Sequence, residues 1–299
     1  MKFSITPKQN VLLAPYTTYK IGGPADLFIE VNNERELEIT VKEARTQNIP
    51  FFLLGCGANI LIGDGGIRGL VIHNKADSVK INDNEVTAES GAVIADLINI
   101  TSEKGLSGLE HFAGIPSSVG GALWQNLHFL SPDRLRTVFI SDALENAKVL
   151  LPNNKVALMN KSEMGFGYDE SIFHHKPIVV LEATFKLEVK TKTEIEKIIV
   201  DNLAWRAEKQ PSVEKFPSCG SVFKKIAGVG AGRLIDQAQL KGKSIGGAMV
   251  AKTHANFIVN MGGAKARDVR NLIELVQKTV KDKTGYSLET EIKFIGEFS

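Results

Sequence analysis

Phe51-Phe52-Leu53-Leu54-Gly55-Cys56-Gly57-Ala58-Asn59-Ile60-Leu61-Ile62 is the stretch on which the fold turns. Four apolar residues ending at a glycine read as a buried strand. Gly55 and Gly57 allow a tight turn and a close approach of backbone N–H groups to an anion, because no Cβ stands in the way. A dinucleotide fingerprint of the Gly-x-Gly-x-x-Gly type needs a third glycine at position 60 and a helix after it. That position is Ile60, and Ile60-Leu61-Ile62 reads as another strand. The segment therefore predicts strand–turn–strand, where any anion is held by backbone without a helix dipole. Taken alone, Gly55-Cys56-Gly57-Ala58-Asn59 is equally well a tight turn with no ligand.

On both sides the chain alternates short apolar runs with amphipathic stretches, which predicts mixed α and β structure. Asn33 caps a predicted helix whose buried face carries Leu37, Val41 and Ala44. Val79-Lys80-Ile81 and Val86-Thr87-Ala88 read as strands joined by the turn Asn82-Asp83-Asn84. A long strand is expected over 177–187 and a helix through Ile195, Ile198, Ile199 and Leu203. The charged, Pro211-containing stretch after it reads as a linker, beyond which the texture changes. Ser221-Val222-Phe223 and Phe257-Ile258-Val259 are strand-like, and Val269, Leu272, Ile273, Val276 and Val280 form a helical stripe. Ile292 and Phe294 alternate with Glu291 and Lys293 as a last strand. The expected division is 1–190, a helix and linker at 191–217, and a small α+β domain at 218–299.

Composition narrows the function. The 299 residues are 43% hydrophobic, and Lys+Arg 36 against Asp+Glu 34 leaves a net charge of +2. No global field draws the chain to nucleic acid or to an anionic membrane. Cys56 and Cys219 are the only cysteines and make no disulfide framework. No apolar run is long enough for a membrane span, and the first residues carry no apolar signal core, so a cytoplasmic protein is expected. The histidines show no metal-ligand spacing, and His174-His175 reads as a surface pair.

Gly114-Ile115-Pro116-Ser117-Ser118-Val119-Gly120-Gly121 is a second glycine-rich loop, rigid and rich in donors, suited to wrapping a phosphate or a flavin ring; alone it is also an ordinary turn. Gly220-Ser221-Val222-Phe223-Lys224 puts a hydroxyl and a base at a strand start. Leu288-Glu289-Thr290-Glu291 sets two carboxylates on one face of a strand, where solvent exposure is their usual fate.

Together these stretches resemble one family. Thr18 to Ala25, Gly55 to Asn59, Gly105 to Glu110, Ala113 to Pro116, Gly167-Tyr168, Gly220 to Lys224, Ala231 to Ile235, Leu240 to Gly242, His254 to Phe257 and Leu288 to Glu291 run in the order found in the MurB family of UDP-N-acetylenolpyruvoylglucosamine reductases. The compact Gly167-Tyr168 segment is similar to the shorter, type II branch. The resemblance implies an α+β chain: an FAD-binding domain of the PCMH, or vanillyl-alcohol-oxidase, type, then a smaller C-terminal substrate domain. It implies FAD held by Gly55, Cys56, Gly57, Ala58, Asn59, Gly114, Ile115, Pro116, Gly120 and Gly121. It implies hydride transfer from NADPH to FAD and on to the enolpyruvyl group of a UDP-sugar, giving UDP-N-acetylmuramate for peptidoglycan. Ser221 matches the family's proton donor and Glu291 its C-terminal glutamate. Tyr168 matches a tyrosine at the substrate, and Lys224 is expected near the substrate's anionic groups. Neither nucleic acid nor membrane is an expected partner.

Three departures stand out. Asp169 follows the tyrosine where the family has Arg, Lys225-Ile226 replaces Asn-Pro, and Gln125-Asn126-Leu127-His128-Phe129 replaces a run of small residues. The first bears on catalysis. It leads to the expectation that Asp169 turns away from the flavin while Lys224 or Lys225 supplies the missing positive charge. Two alternatives keep the binding chemistry: an FAD oxidoreductase with another substrate, and a flavin- or nucleotide-sugar-binding paralogue without catalysis.

Overall fold

The computed structural model describes residues 2–226 and 228–298. Around the deciding stretch it follows the pattern: strand Phe51–Leu54, a turn, then strand Ile60–Ile62. Gly57 takes φ +61°, the left-handed value that favours glycine.

The residues gather into two units. The first comprises 1–7, 29–56 and 72–206; the second comprises 8–28, 57–71 and 207–299. The strands Pro24–Val31 and Ile67–Asn74 each run from the second into the first. The sequence division into 1–190, 191–217 and 218–299 follows chain order, whereas these units interleave. The reason lies in the pairing within the second unit. Strand Ile60–Ile62 finds its parallel partner in Lys293–Ile295, and the Tyr19 hydroxyl donates to the Ile258 carbonyl at 2.7 Å.

The first unit is built on an antiparallel sheet in the order Val156–Asn160, Leu144–Leu150, Val179–Lys186, Glu85–Glu89, Val79–Asn82. Helices Ile94–Glu103 and Val119–Gln125 bring Ile94, Leu97, Ile98, Val119, Ala122 and Leu123 into its core. Helix Glu34–Thr46 starts where expected: the Asn33 side chain accepts from the Glu36 N–H, and Leu37, Val41 and Ala44 are buried. Helix Lys192–Lys209 buries Ile195 and Asn202, while Leu203 remains exposed.

In the second unit, helix Ala266–Thr284 buries its whole predicted stripe. Its first turn is completed from far away in sequence. The Asp64 carboxylate accepts from the backbone N–H groups of Ala266 and Arg267 at 2.8 and 3.1 Å, matching a negative charge to the positive end of the helix. Gly285 ends the helix at φ +77°.

Two local readings in the first unit change. His174 is mostly buried rather than a surface residue, its ring 3.7 Å from that of Trp124, because the 3₁₀ turn Ile172–His174 folds it inward; only His175 is exposed, beside Glu170. Gly120 and Gly121 do not belong to a loop. They form the first turn of helix Val119–Gln125, whose N-cap Ser118 accepts from the Gly121 N–H at 3.3 Å.

Candidate active site

Within the first unit the Gly55 end of the first glycine-rich segment meets the second. A Cβ on Gly55 would stand 2.3 Å from Ser118 Oγ, so only glycine lets the strand end lie against the helix cap. The second segment is tied down by backbone bonds: Gly120 N–H to the Ser90 carbonyl at 2.7 Å, Val119 N–H to Ala92, and Ile94 N–H to Ser117. The N–H groups of Gly120 and Gly121 are therefore spent inside the protein. Gly57 is demanded by packing too, since a Cβ there would sit 2.4 Å from the Tyr16 carbonyl oxygen. A valine at 57 breaks the turn before it can block a ligand.

Two features remain for a cofactor. A cleft of about 380 Å³ in the first unit is bordered by Gly55, Cys56, His73, Asn74, Gly91 and Asp96. Its volume suits one nucleotide-sized portion of a dinucleotide. Burial, and secondly the Asp96 carboxylate, pushes the Cys56 thiol up to about 11, so Cys56 lines the cleft as a neutral group. At the other end of the turn, Asn59 Nδ2 is buried with no hydrogen-bond partner among the described residues, a donor in want of an acceptor. A glycine-bordered cleft of this size fits a phosphate-bearing cofactor.

In the second unit, Gly220 at φ +83° turns the chain into Ser221. Ser221 to Lys224 is not a regular strand; it is held by isolated bridges, Ser221 to Phe257 and Phe223 to Thr290. The side chain of Asn256 makes up the difference. Its Oδ1 accepts from Phe223 N–H at 3.0 Å, its Nδ2 donates to the Phe223 carbonyl at 2.9 Å, and its own carbonyl accepts from Val222 N–H at 2.8 Å. On the other flank Glu291 N–H donates to the Val222 carbonyl at 2.8 Å. Ser221 and Glu291, 70 positions apart, thus lie on neighbouring segments joined by isolated bridges and backbone bonds, both half-buried. Asn260 supports the same region, donating to the Tyr19 carbonyl at 3.1 Å. Beside it His254 accepts from Asn256 N–H through Nδ1, and burial, then Lys241, lowers its pKa, favouring the neutral ring that this bond requires. Lys224 is exposed and lies 3.3 Å from Glu289, itself exposed.

Tyr168 and Asp169 lie in the first unit, on a turn closed by a Gly167–Glu170 bridge. Tyr168 is half-exposed, its ring 4.3 Å from that of His128. Asp169, at φ +55°, is buried. Its Oδ1 accepts from Gln125 Nε2 at 2.8 Å and lies 3.6 Å from His128 Nδ1; Oδ2 has no hydrogen-bond partner among the described residues. The basic side chain beside Asp169 is the His128 imidazole, while Lys224 is engaged with Glu289. Two departures noted in the sequence, Asp169 and the 125–129 run, are thus one set of contacts. Their separation of about forty positions hid this, as it hid the role of Asn256 inside the quoted His254-Ala255-Asn256-Phe257 motif.

The family model for the UDP-N-acetylenolpyruvoylglucosamine reductase C-terminal domain matches residues 210–295, and one for an FAD binding domain matches 25–158. The UDP-N-acetylenolpyruvoylglucosamine reductase of Clostridium novyi is 40% identical over 98% of this chain and 93% of its own length. That of Listeria monocytogenes is 42% identical over 98% and 96%. The chain belongs to the MurB family. The crystal structure of MurB from Thermus caldophilus superimposes with a TM-score of 0.81 at 33% identity, covering 97% of this chain and 99% of that one. The α+β architecture read from the sequence, an FAD-binding domain of PCMH type with a MurB C-terminal domain, is that of the family.

Proposed function

We propose that this MurB-family chain is an FAD-dependent oxidoreductase that uses NADPH to reduce the enolpyruvyl group of UDP-N-acetylenolpyruvoylglucosamine, yielding the UDP-N-acetylmuramate of peptidoglycan synthesis. The observation that supports the residue assignment is the set of bridges and backbone bonds that joins the Ser221 segment to the Glu291 segment. When bound, FAD supplies the hydride. Gly55, Cys56, Gly57, Ala58 and Asn59, with Gly114, Ile115, Pro116, Gly120 and Gly121, are the residues we assign to hold it, the cleft and the Asn59 donor being the parts that remain open to a ligand.

Addition of hydride to the terminal carbon of the enolpyruvyl group leaves negative charge on the adjacent carbon and its carboxylate. Ser221 delivers the proton to that carbon. A serine hydroxyl is a weak acid, so it serves only when the carbanion is strongly basic and the geometry is fixed, which is what Asn256 and Glu291 N–H enforce through the backbone around it. Glu291 holds the substrate carboxyl in its protonated or hydrogen-bonded form, one proton lying between the two carboxyl groups. Tyr168 offers a half-exposed ring and hydroxyl to the substrate, and Lys224 a cation at the rim. Among the described residues no helix is long and apolar enough to cross a membrane; we place the reaction in the cytoplasm, with the nucleotide pools it uses.

The test is colour. Flavin-loaded protein is expected to bleach with NADPH and recover on adding the enolpyruvyl substrate under anaerobic conditions. Bleaching without recovery means a flavin oxidoreductase with another substrate, and no bleaching means a binding protein.

A further inference from the structure

Phe129 carries two cations. The guanidinium carbon of Arg134 lies 5.6 Å from its ring centroid and that of Arg206 lies 5.4 Å from it. Arg134 also stands 5.2 Å from the ring of Trp205, which meets Phe129 edge-on at 5.6 Å. All four side chains belong to the first unit and are half-buried. Among the described residues neither guanidinium has an acidic partner, and Arg134 Nη1 is buried with no hydrogen bond at all. Asp133, the nearest acid in sequence, is taken up by its own loop, accepting from Ser131 Oγ and from Leu135 N–H at 3.0 Å. Those bonds hold the loop that presents Arg134 at φ +62°. Arg206 is desolvated enough to bring its guanidinium down to about 10, with no carboxylate opposing the shift. It lies along the second glycine-rich segment: a Cβ on Gly114 would stand 3.1 Å from Arg206 Nε and 2.9 Å from Leu203 Cδ2.

Stacking on an aromatic face is worth about 0.5–2 kcal/mol, which does not offset burying an unpaired charge, and two such charges on one ring also repel. Stacking leaves the N–H edges of each guanidinium free, and those edges match phosphate oxygens. Two uncompensated forks on one aromatic platform are a donor set of the kind that a phosphate group takes.

We propose that Arg134 and Arg206 form a phosphate clamp, backed by Phe129 and Trp205, that takes the phosphate group of a nucleotide. The clamp itself stands on this geometry; the choice of nucleotide rests on the reductase reading. The 2′-phosphate of NADPH, the diphosphate of the UDP-sugar and the diphosphate of FAD share the required chemistry.

Calorimetric titration of flavin-loaded protein with 2′,5′-ADP and with UDP separates the first two sources, and flavin occupancy on purification reports the third. Arg134→Gln and Arg206→Gln are expected to weaken one probe at least tenfold and flatten its salt dependence, with Arg206→Lys restoring only part. Loss confined to 2′,5′-ADP assigns the clamp to NADPH, and loss confined to UDP assigns it to the sugar nucleotide. Loss of flavin with unchanged probe binding assigns it to FAD. Arg134 lies on a loop, so Arg134→Gln keeps the test alive if Arg206→Gln fails to fold. Folded variants whose probe binding and flavin occupancy both equal wild type overturn the clamp. Neither probe requires turnover, so a failure of substrate-dependent flavin recovery in wild type strikes the reductase reading alone.

Discussion

The Ser221 segment and the Tyr168–Asp169 turn are held by different means. Around Ser221 the positioning bonds run to backbone groups: Asn256 to both polar groups of Phe223, and Val222 to Asn256 and Glu291. The turn at Asp169 is closed by the Gly167–Glu170 bridge, but the Asp169 carboxylate itself is met by side chains, Gln125 and His128 converging on it. The Ser221 segment thus depends on one side chain, Asn256, and otherwise on backbone groups. The Asp169 carboxylate depends on Gln125 and His128, both within the 125–129 run that the sequence reading set apart together with Asp169.

The sharpest way to break this contrast is to restore the family residue alone. Asp169→Arg sets a buried cation against the Gln125 amide donor and His128, and is expected to lower stability by about 3–5 kcal/mol. Adding Gln125→Ala and His128→Ala should recover part of the loss, with a coupling energy of about 0.5–3 kcal/mol in denaturant melts. Strict additivity of the three changes would dissolve the idea of one coupled set. Next, Ser221→Ala should leave bleaching by NADPH intact and slow recovery by the enolpyruvyl substrate on the order of 10²-fold or more, read by rapid mixing. Recovery at the wild-type rate would remove Ser221 from proton delivery. The smallest effect belongs to Asn256→Ala. It leaves the buried N–H and carbonyl of Phe223 without these partners, at a cost of about 2 kcal/mol and a fall of several degrees in Tm. If these bonds position Ser221, kcat for recovery falls with them while KM holds; a change in Tm alone would make Asn256 purely structural.

What the sequence made legible was local. Strand, paired glycines and strand at 51–62 follow from four apolar residues and two glycines, and helix Ala266–Thr284 from a stripe at helical spacing. The family order of motifs led to Ser221, Glu291 and the flavin. The hidden parts depend on pairs remote in the chain. Ser221-Val222-Phe223 looks like a strand by composition, yet its neighbours are an asparagine side chain and two bridges, which periodicity does not register. Gly120 and Gly121 read as loop because glycine disfavours helices, and they are helical because Ser118 caps them and the Ser90 carbonyl receives Gly120. No spacing rule relates Asp169 to Gln125.

The pairing of strand Ile60–Ile62 with Lys293–Ile295 also sets a timetable for synthesis. Every segment of the first unit has been made once Arg206 is added, whereas the second waits for the last strand, some ninety residues later. At roughly 5–20 residues per second that is an interval of about 5–20 seconds. Through it Ile60–Ile62 has an open edge, and Tyr19 and Leu61 lack the apolar neighbours that later enclose them. The nascent chain is thus most exposed to chaperones and proteases at its early segments, long after they have been translated, and a ribosome that stops before Lys293 releases a protein whose first unit has all its segments and whose second cannot close.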